Sequence, residues 1–205
     1  MEISIRRAVS SDAAALARLR SVMFEAMQVQ VGDRDSLWLA EAREWFTHQL
    51  ATSDVAAFVA QTPDGGIVAA ALGQVTRHAP SPANPSGVSG QLSNVVTDPE
   101  YRRLGLSRAC VEQLLRWFRD LTDANDVGLF ATDCGASLYE SLGFGGRPNP
   151  AMSLNIRRAE VVDRGSARSP SRNRGLHGQR HHLSISSTAK TVLPTVGWQG
   201  PFPSP

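Results

Sequence analysis

The chain has 205 residues, 41% hydrophobic and 20% charged, with a formal net charge of +2. That is ample apolar material for a packed core, and the charge gives no general signal of a polyanion binder. Cys110 and Cys134 lie in separate segments without CxxC or Cys/His spacing, so neither a zinc motif nor a disulfide framework is indicated.

The start, MEISIRRAVSSD, lacks the apolar core of a signal peptide, and no run approaches the ~20 apolar residues of a membrane span. These features predict a cytoplasmic protein with reduced thiols. The first strand is ISIRRA, whose alternation suits a half-buried edge. Ser10 or Ser11 then caps a helix, with Asp12 in its first turn and Leu16, Leu19, Val22 or Met23, and Met27 as its apolar stripe. After GDRDS a second helix is predicted from about Ser36 to Leu50, with Leu37, Trp38, Ala42, Trp45 and Phe46 facing inward.

Two strands, VAAFVAQ and IVAAALGQVT, flank TPDGG, where Pro63, Asp64, Gly65 and Gly66 supply the chemistry of a hairpin turn. HAPSPANPSGVSG, too rich in Pro, Ser and Gly for a strand interior, is read as an exposed loop leading into the strand QLSNVVT. DPEYRRLGLSRAC then opens a helix, in which Leu106, Cys110, Leu114, Trp117 or Phe118, and Leu121 recur at helical spacing. VGLFAT reads as a buried strand, CGASLYESLG as a short helix stopped by Gly143, and MSLNI as a last strand. The order β-α-α-β-β-β-α-β-α-β over residues 2–158 is a mixed α/β pattern.

Residues 159–205 break the pattern. They carry six basic residues against two acidic ones, a net of +4, with many Pro, Ser and Gly. The segment is expected to be a disordered tail. Its arginines and histidines could attract phosphate, but aromatics do not interleave with them and no nucleic-acid motif is present, so nucleic acid is not the expected partner.

The strand-to-helix junction carries the chemistry. A helix N-terminus offers unpaired N–H groups and partial positive charge, and small residues let an anion approach the backbone. In RRLGLS, Gly105 and Ser107 are the small positions and Arg102, Arg103 and Arg108 add charge. There is no GxxxxGK[ST], so this is not a P-loop. Taken alone, the junction could equally be a surface turn.

Paired with LYESLGF downstream, DPEYRRLGLSR resembles the acetyl-CoA-binding signature of the GNAT N-acetyltransferases, [RQ]-x-x-G-x-[GA], with Arg102, Gly105 and, in the last position, Ser107. The resemblance reaches to about Arg158, so that residues 1–158 would form one acetyltransferase domain. It implies an α/β (α+β) acyl-CoA N-acyltransferase fold, a mixed sheet flanked by helices, with acetyl-CoA as co-substrate and no metal. By the same resemblance Val95, Val96 and Thr97 hold the pantetheine arm through their backbone. Arg103, Leu104, Gly105, Leu106, Ser107 and Arg108 hold the pyrophosphate. Tyr139 protonates the departing thiolate, a fitting task for a phenol with a reference pKa of ~10.

The implied activity is transfer of acetyl to an amine of a small molecule or peptide by direct attack in a ternary complex. The alternative is a noncatalytic acyl-CoA-binding or partner-binding module of the same fold, and a homodimer stays open in either case. The resemblance has departures. Thr132 stands where relatives often have an asparagine, with Asp133 beside it, and Asn94 stands where a central-strand carboxylate serves as base in some of them. Glu25 and Asp98 are the remaining carboxylates considered for that role, while Met23, Phe24 and Trp38 are apolar residues that could line the acceptor pocket. Cys134 is set aside as a nucleophile because no histidine lies near it in sequence, and His48 and His78 are isolated.

Overall fold

The computed structural model describes residues 2–33, 36–146 and 151–154. Contacts divide the chain into a unit ending at Gly145 and another beginning at Gly146. All helices and strands described here belong to the first unit. In the second, Ala151–Leu154 carry no strand, a departure from the expected last strand, whose remaining residues lie outside the described ones. Residues 159–205, the expected tail, also lie outside them.

The elements run β1 (Ser4–Arg7), α1 (Ala13–Ala26), α2 (Leu37–Gln49), β2 (Val55–Gln61), β3 (Ile67–Arg77), β4 (Val88–Thr97), α3 (Leu106–Leu121), β5 (Asp126–Gly128) and α4 (Ala136–Glu140). The sheet order is β1-β2-β3-β4-β5. The first four strands are antiparallel neighbours and β5 runs parallel to β4, with α3 as the crossover that a parallel pair requires. β4 begins at Val88, earlier than expected, and β5 is shorter than VGLFAT. Among the described residues no helix is long and apolar enough to cross a membrane.

Both faces of the sheet are covered, so β2 and β3 read as nearly continuous apolar runs. On one face Val55, Ala57, Val59 and Leu72 meet Leu16, Leu19 and Phe46 of α1 and α2. On the other, Ala56, Ala60, Ala69 and Ala71 meet Leu114, Trp117 and Phe118 of α3. The alanines leave room for large helix side chains, which keeps the layers close-packed. Two glycines extend this fit: a Cβ at Gly73 or Gly90 would fall 2.7 or 2.6 Å from Phe118 ring atoms.

The expected helix faces need trimming at their ends. Leu37, Met27 and Leu121 are exposed, as is Trp45 at the rim, whereas Phe46 is buried. The TPDGG hairpin closes through Thr62 N–H to Gly66 O and Gly65 N–H to Thr62 O, both 2.9 Å, with Gly65 at φ 89°.

The entry to α1 is fixed by a carboxylate rather than by a serine. Asp12 accepts the Val9 N–H at 2.8 Å and a fork of bonds from Arg6 on β1 at 2.7 and 2.9 Å, while the Ser10 hydroxyl donates to Thr47 O at 3.0 Å. The bonds from Arg6, and then from the Val9 N–H, hold the Asp12 carboxyl below its ordinary pKa against the opposing effect of burial.

A depressed carboxyl pKa stabilises the fold above the unfolded value of ~3.9 and ceases to do so as the pH falls through the folded value. Asp12→Asn should therefore cost about 1.5–3 kcal/mol at pH 7, with the gap from the parent protein closing in urea titrations below ~pH 4. In the core, Gly90→Ala should cost about 1–3 kcal/mol through overpacking against Phe118. The double variant with Phe118→Leu should lose less than the two single losses summed, a coupling that denaturation measurements detect directly.

Candidate functional site

β4 has a break in register that shapes everything near it. Ala70 lies opposite Val96 and Leu72 opposite Ser93, so Asn94 and Val95 together face Ala71, which is a β-bulge. Asn94 sits at φ 49°, a conformation asparagine tolerates better than most residues. The extra residue reverses the side-chain alternation. Leu92 packs with α3 on one face, while Val96 packs with α1 on the other.

The other edge of β4 diverges from its neighbour. β5 pairs with β4 only at Ser89, Gly90 and Gln91. From Leu92 to Thr97, among the described residues, no strand pairs with this edge. Val95, Val96 and Thr97 thus lie along a splayed strand whose backbone groups can receive an extended ligand.

At its end, β4 passes through Asp98 and a 3-10 turn, Pro99–Tyr101, into α3. Arg103 at φ 67° and Gly105 at φ 73° place left-handed residues just before the helix. The first helical bond runs from Ala109 N–H to Gly105 O at 3.0 Å, leaving the N–H groups of Leu106, Ser107 and Arg108 without intrahelical acceptors. Arg102, Arg103, Leu104 and Gly105 are exposed, and among the described residues no atom beyond the adjoining backbone lies within 4 Å of where a Gly105 Cβ would stand. An anion has open access to this backbone, which meets the requirement for a phosphate cradle.

The side chains brace the loop. The Thr97 and Ser107 hydroxyls are hydrogen-bonded at 2.6 Å, so serine at the end of the motif ties the helix start to the end of β4. Arg108 donates to Glu112 at 2.9 Å and to Ser141 at 2.7 Å, linking α3 to the end of α4. Arg102 reaches back to Thr97 O at 3.4 Å.

Tyr139, on α4, is half-buried and packs on the α3-side core together with Val95. Its ring meets Phe144 edge-on at 6.0 Å. Gly143, at φ 91°, ends the turn, and Phe144 N–H donates to Tyr139 O at 3.0 Å. Burial pushes the Tyr139 phenol above its ordinary value of 10.0, so the hydroxyl keeps its proton at neutral pH.

On the opposite face the residues considered as bases are engaged elsewhere or set apart. Asp98 receives both ends of the Arg18 fork at 2.8 and 2.9 Å. Asn94, buried, accepts from Arg20 of α1. Glu25 is exposed and helps line a cavity of about 740 Å³ with Arg18, Val22, Leu39 and Arg43, between α1 and α2. Phe24 and Trp38 pack on each other at 5.8 Å, Trp38 donates to Val31 O at 2.6 Å, and Met23 packs against the core.

Cys110 is buried and its thiol is pushed up to about 12, which leaves it inert. Cys134 is exposed, as is Asp133, and Thr132 O accepts the Gly135 and Ala136 N–H groups at 2.9 and 3.0 Å. His48 lies on exposed α2 surface 3.8 Å from Glu44, and the His78 N–H is bonded to Gly87 O at 2.7 Å. Among the described residues no group of three or more His, Cys, Asp or Glu is gathered to hold a metal. Arg20 is the residue that the sequence reading passed over. Its signal was a cation in the i, i+4 series Leu16–Arg20–Phe24, on a helix flank that should be apolar.

The family model described as Acetyltransferase (GNAT) family matches residues 18–144. No curated protein sequence matches the chain. Among solved structures, a predicted acetyltransferase from Clostridium acetobutylicum with acetyl-CoA superposes at a TM-score of 0.68 and 20% identity, covering 77% of this chain and 99% of that one. A GCN5-related N-acetyltransferase from Ralstonia eutropha gives 0.62 at 23%, covering 75% and 99%. Glucosamine-6-phosphate N-acetyltransferase from Arabidopsis thaliana gives 0.57 at 20%, covering 76% and 99%. These likenesses agree with the observed arrangement of sheet and helices.

The elevated tyrosine gives a direct check. In a spectrophotometric titration of the folded protein, a component ionising above pH ~10 should be present and should be missing from Tyr139→Phe.

Proposed function

The chain belongs to the GNAT family of acetyltransferases, and on that footing we propose that it moves an acetyl group from acetyl-CoA to a primary amine by direct attack within a ternary complex. The observation carrying this reading is continuity. Between Val95 and Arg108 one unbroken stretch offers a splayed strand edge and then an open helix N-terminus, matching an elongated ligand with a phosphate at one end. A cytoplasmic setting and an amine acceptor, small molecule or peptide, belong to the same proposal.

The N–H groups of Arg103, Leu104, Gly105, Leu106, Ser107 and Arg108 would hold the pyrophosphate, and Arg102 would brace the loop. Val95, Val96 and Thr97 would hold the pantetheine arm through their backbone. Acetyl-CoA supplies an activated acyl group, whose C–S bond breaks as the new C–N bond forms. Tyr139 donates its proton to the departing sulfur, its raised pKa keeping that proton in place until then. The amine gives up its own proton to water. Asp98 is tied to Arg18 and Asn94 is an amide, so neither serves as that base.

Tyr139→Phe should lower acetyl-CoA-dependent thiol release on the order of 10²-fold, with the coenzyme dissociation constant unchanged in calorimetry. Full turnover in that variant would remove Tyr139 from the mechanism. A panel of amines, amino acids, aminoglycosides and peptide N-termini tests the reaction itself. Coenzyme binding without sustained thiol release on any of them would favour the noncatalytic module instead.

A further inference from the structure

Among the described residues Arg20 is the bonded arginine that is half-buried without a carboxylate beside it, since Arg7 and Arg102, which donate only to the Val55 and Thr97 carbonyls, are exposed. Arg6, Arg18, Arg77, Arg108 and Arg119 each meet a carboxylate. Among the described residues Arg20 meets none. It is half-buried, gives one N–H to Asn94 Oδ1 and lies 4.8 Å over the Phe24 ring. Both partners are neutral, so the guanidinium keeps most of its donors and all of its charge uncompensated. Burial lowers its pKa with no opposing charge to raise it, whereas the Arg6, Arg18, Arg77 and Arg119 values are raised through their aspartates.

The position matters as much as the charge. Asn94 is the bulged residue of β4, beside Val95 on the splayed edge, and it is roughly 10 Å along the strand from Thr97, where the phosphate cradle begins. The cradle has its own donors in the α3 N-terminus. A charge at Asn94 is therefore placed for a second anion, on the face of the sheet covered by α1. The Arg20 bond also orients the Asn94 amide, whose oxygen is occupied and whose NH₂ remains a donor. The local chemistry is donor-rich and positive, which suits an anion and disfavours an acceptor that is only an ammonium.

Resting on the acetyltransferase reading above, we propose that Arg20 is a specificity-determining residue and that the acceptor is an acidic amine, a primary amine carrying a carboxylate or phosphate group that Arg20 and the Asn94 amide bind. A forked guanidinium matches either anion. The anion replaces the water that burial has removed from Arg20, while the amine is left to approach the acetyl group.

The test uses the full chain, with thiol release measured on matched acceptors: glycine against glycinamide, β-alanine against β-alaninamide, and O-phosphoethanolamine against ethanolamine. The anionic member of at least one pair should be preferred by about 10- to 100-fold in kcat/KM, and which pair responds separates carboxylate from phosphate. Arg20→Met should abolish that preference mainly through KM and leave the neutral partner within about threefold, while Arg20→Lys restores part of it. Neutral acceptors used equally well, or an Arg20→Met loss shared equally by both members, would overturn the proposal.

Where no amine turns over, binding decides. With CoA present, calorimetry should detect N-acetylglycine, N-acetyl-β-alanine or N-acetyl-O-phosphoethanolamine but not N-acetylglycinamide, and Arg20→Met should lose it. No binding of any of the acids overturns the proposal. Failure of acetyl-CoA itself to bind, by contrast, overturns the acetyltransferase reading.

Discussion

An inner strand of a sheet carries two rows of backbone N–H and C=O groups, and each must be satisfied. β4 satisfies one row against β3 and only the beginning of the other against β5. Everything that distinguishes this fold from a closed sheet follows from that divergence. Among the described residues the unpaired groups lie beside a bulge, and the strand leads through a short turn into a helix whose first N–H groups have no intrahelical acceptors. One segment of chain therefore presents a continuous line of polar backbone.

That line is kept open by packing elsewhere. The α3 side of the sheet is paved with alanine and glycine opposite Leu114, Trp117 and Phe118, which seats the helix close to β3 and β4. The bulge at Asn94 then turns Val96 toward α1. The two cores grip the strand from opposite faces on either side of the bulge. Thr97 and Ser107 close the corner between strand and helix, and Arg108 carries the brace on to α4, the helix that bears Tyr139.

Much of this was legible in the sequence because its signals are local. Gly65 after Pro63-Asp64, Gly105 before a strongly periodic helix, and Gly143 after LYESL each mark a backbone conformation that side chains resist. Trimming was needed where periodicity outlasts burial, at Leu37, Met27 and Leu121. The bulge was not legible, since QLSNVVT alternates plausibly without it and only the pairing with β3 reveals the extra residue. Arg20 was missed for a related reason. Among the described residues no carboxylate stands beside its half-buried guanidinium, which only the three-dimensional arrangement reveals, and a linear reading registers an arginine on a helix as solvated. Asp12, read as a dipole partner for α1, proved to be a strut to β1 because the chain folds back so that the Arg6 side chain reaches it.

The Thr97–Ser107 bond has a metric meaning beyond bracing. It locks the separation between the helix N-terminus and the bulge, so the strand between them acts as a ruler of fixed length. On the acetyltransferase proposal, a carrier whose phosphate rested at one mark would bring its reactive end to the other, and a chain of the wrong length would miss that second mark.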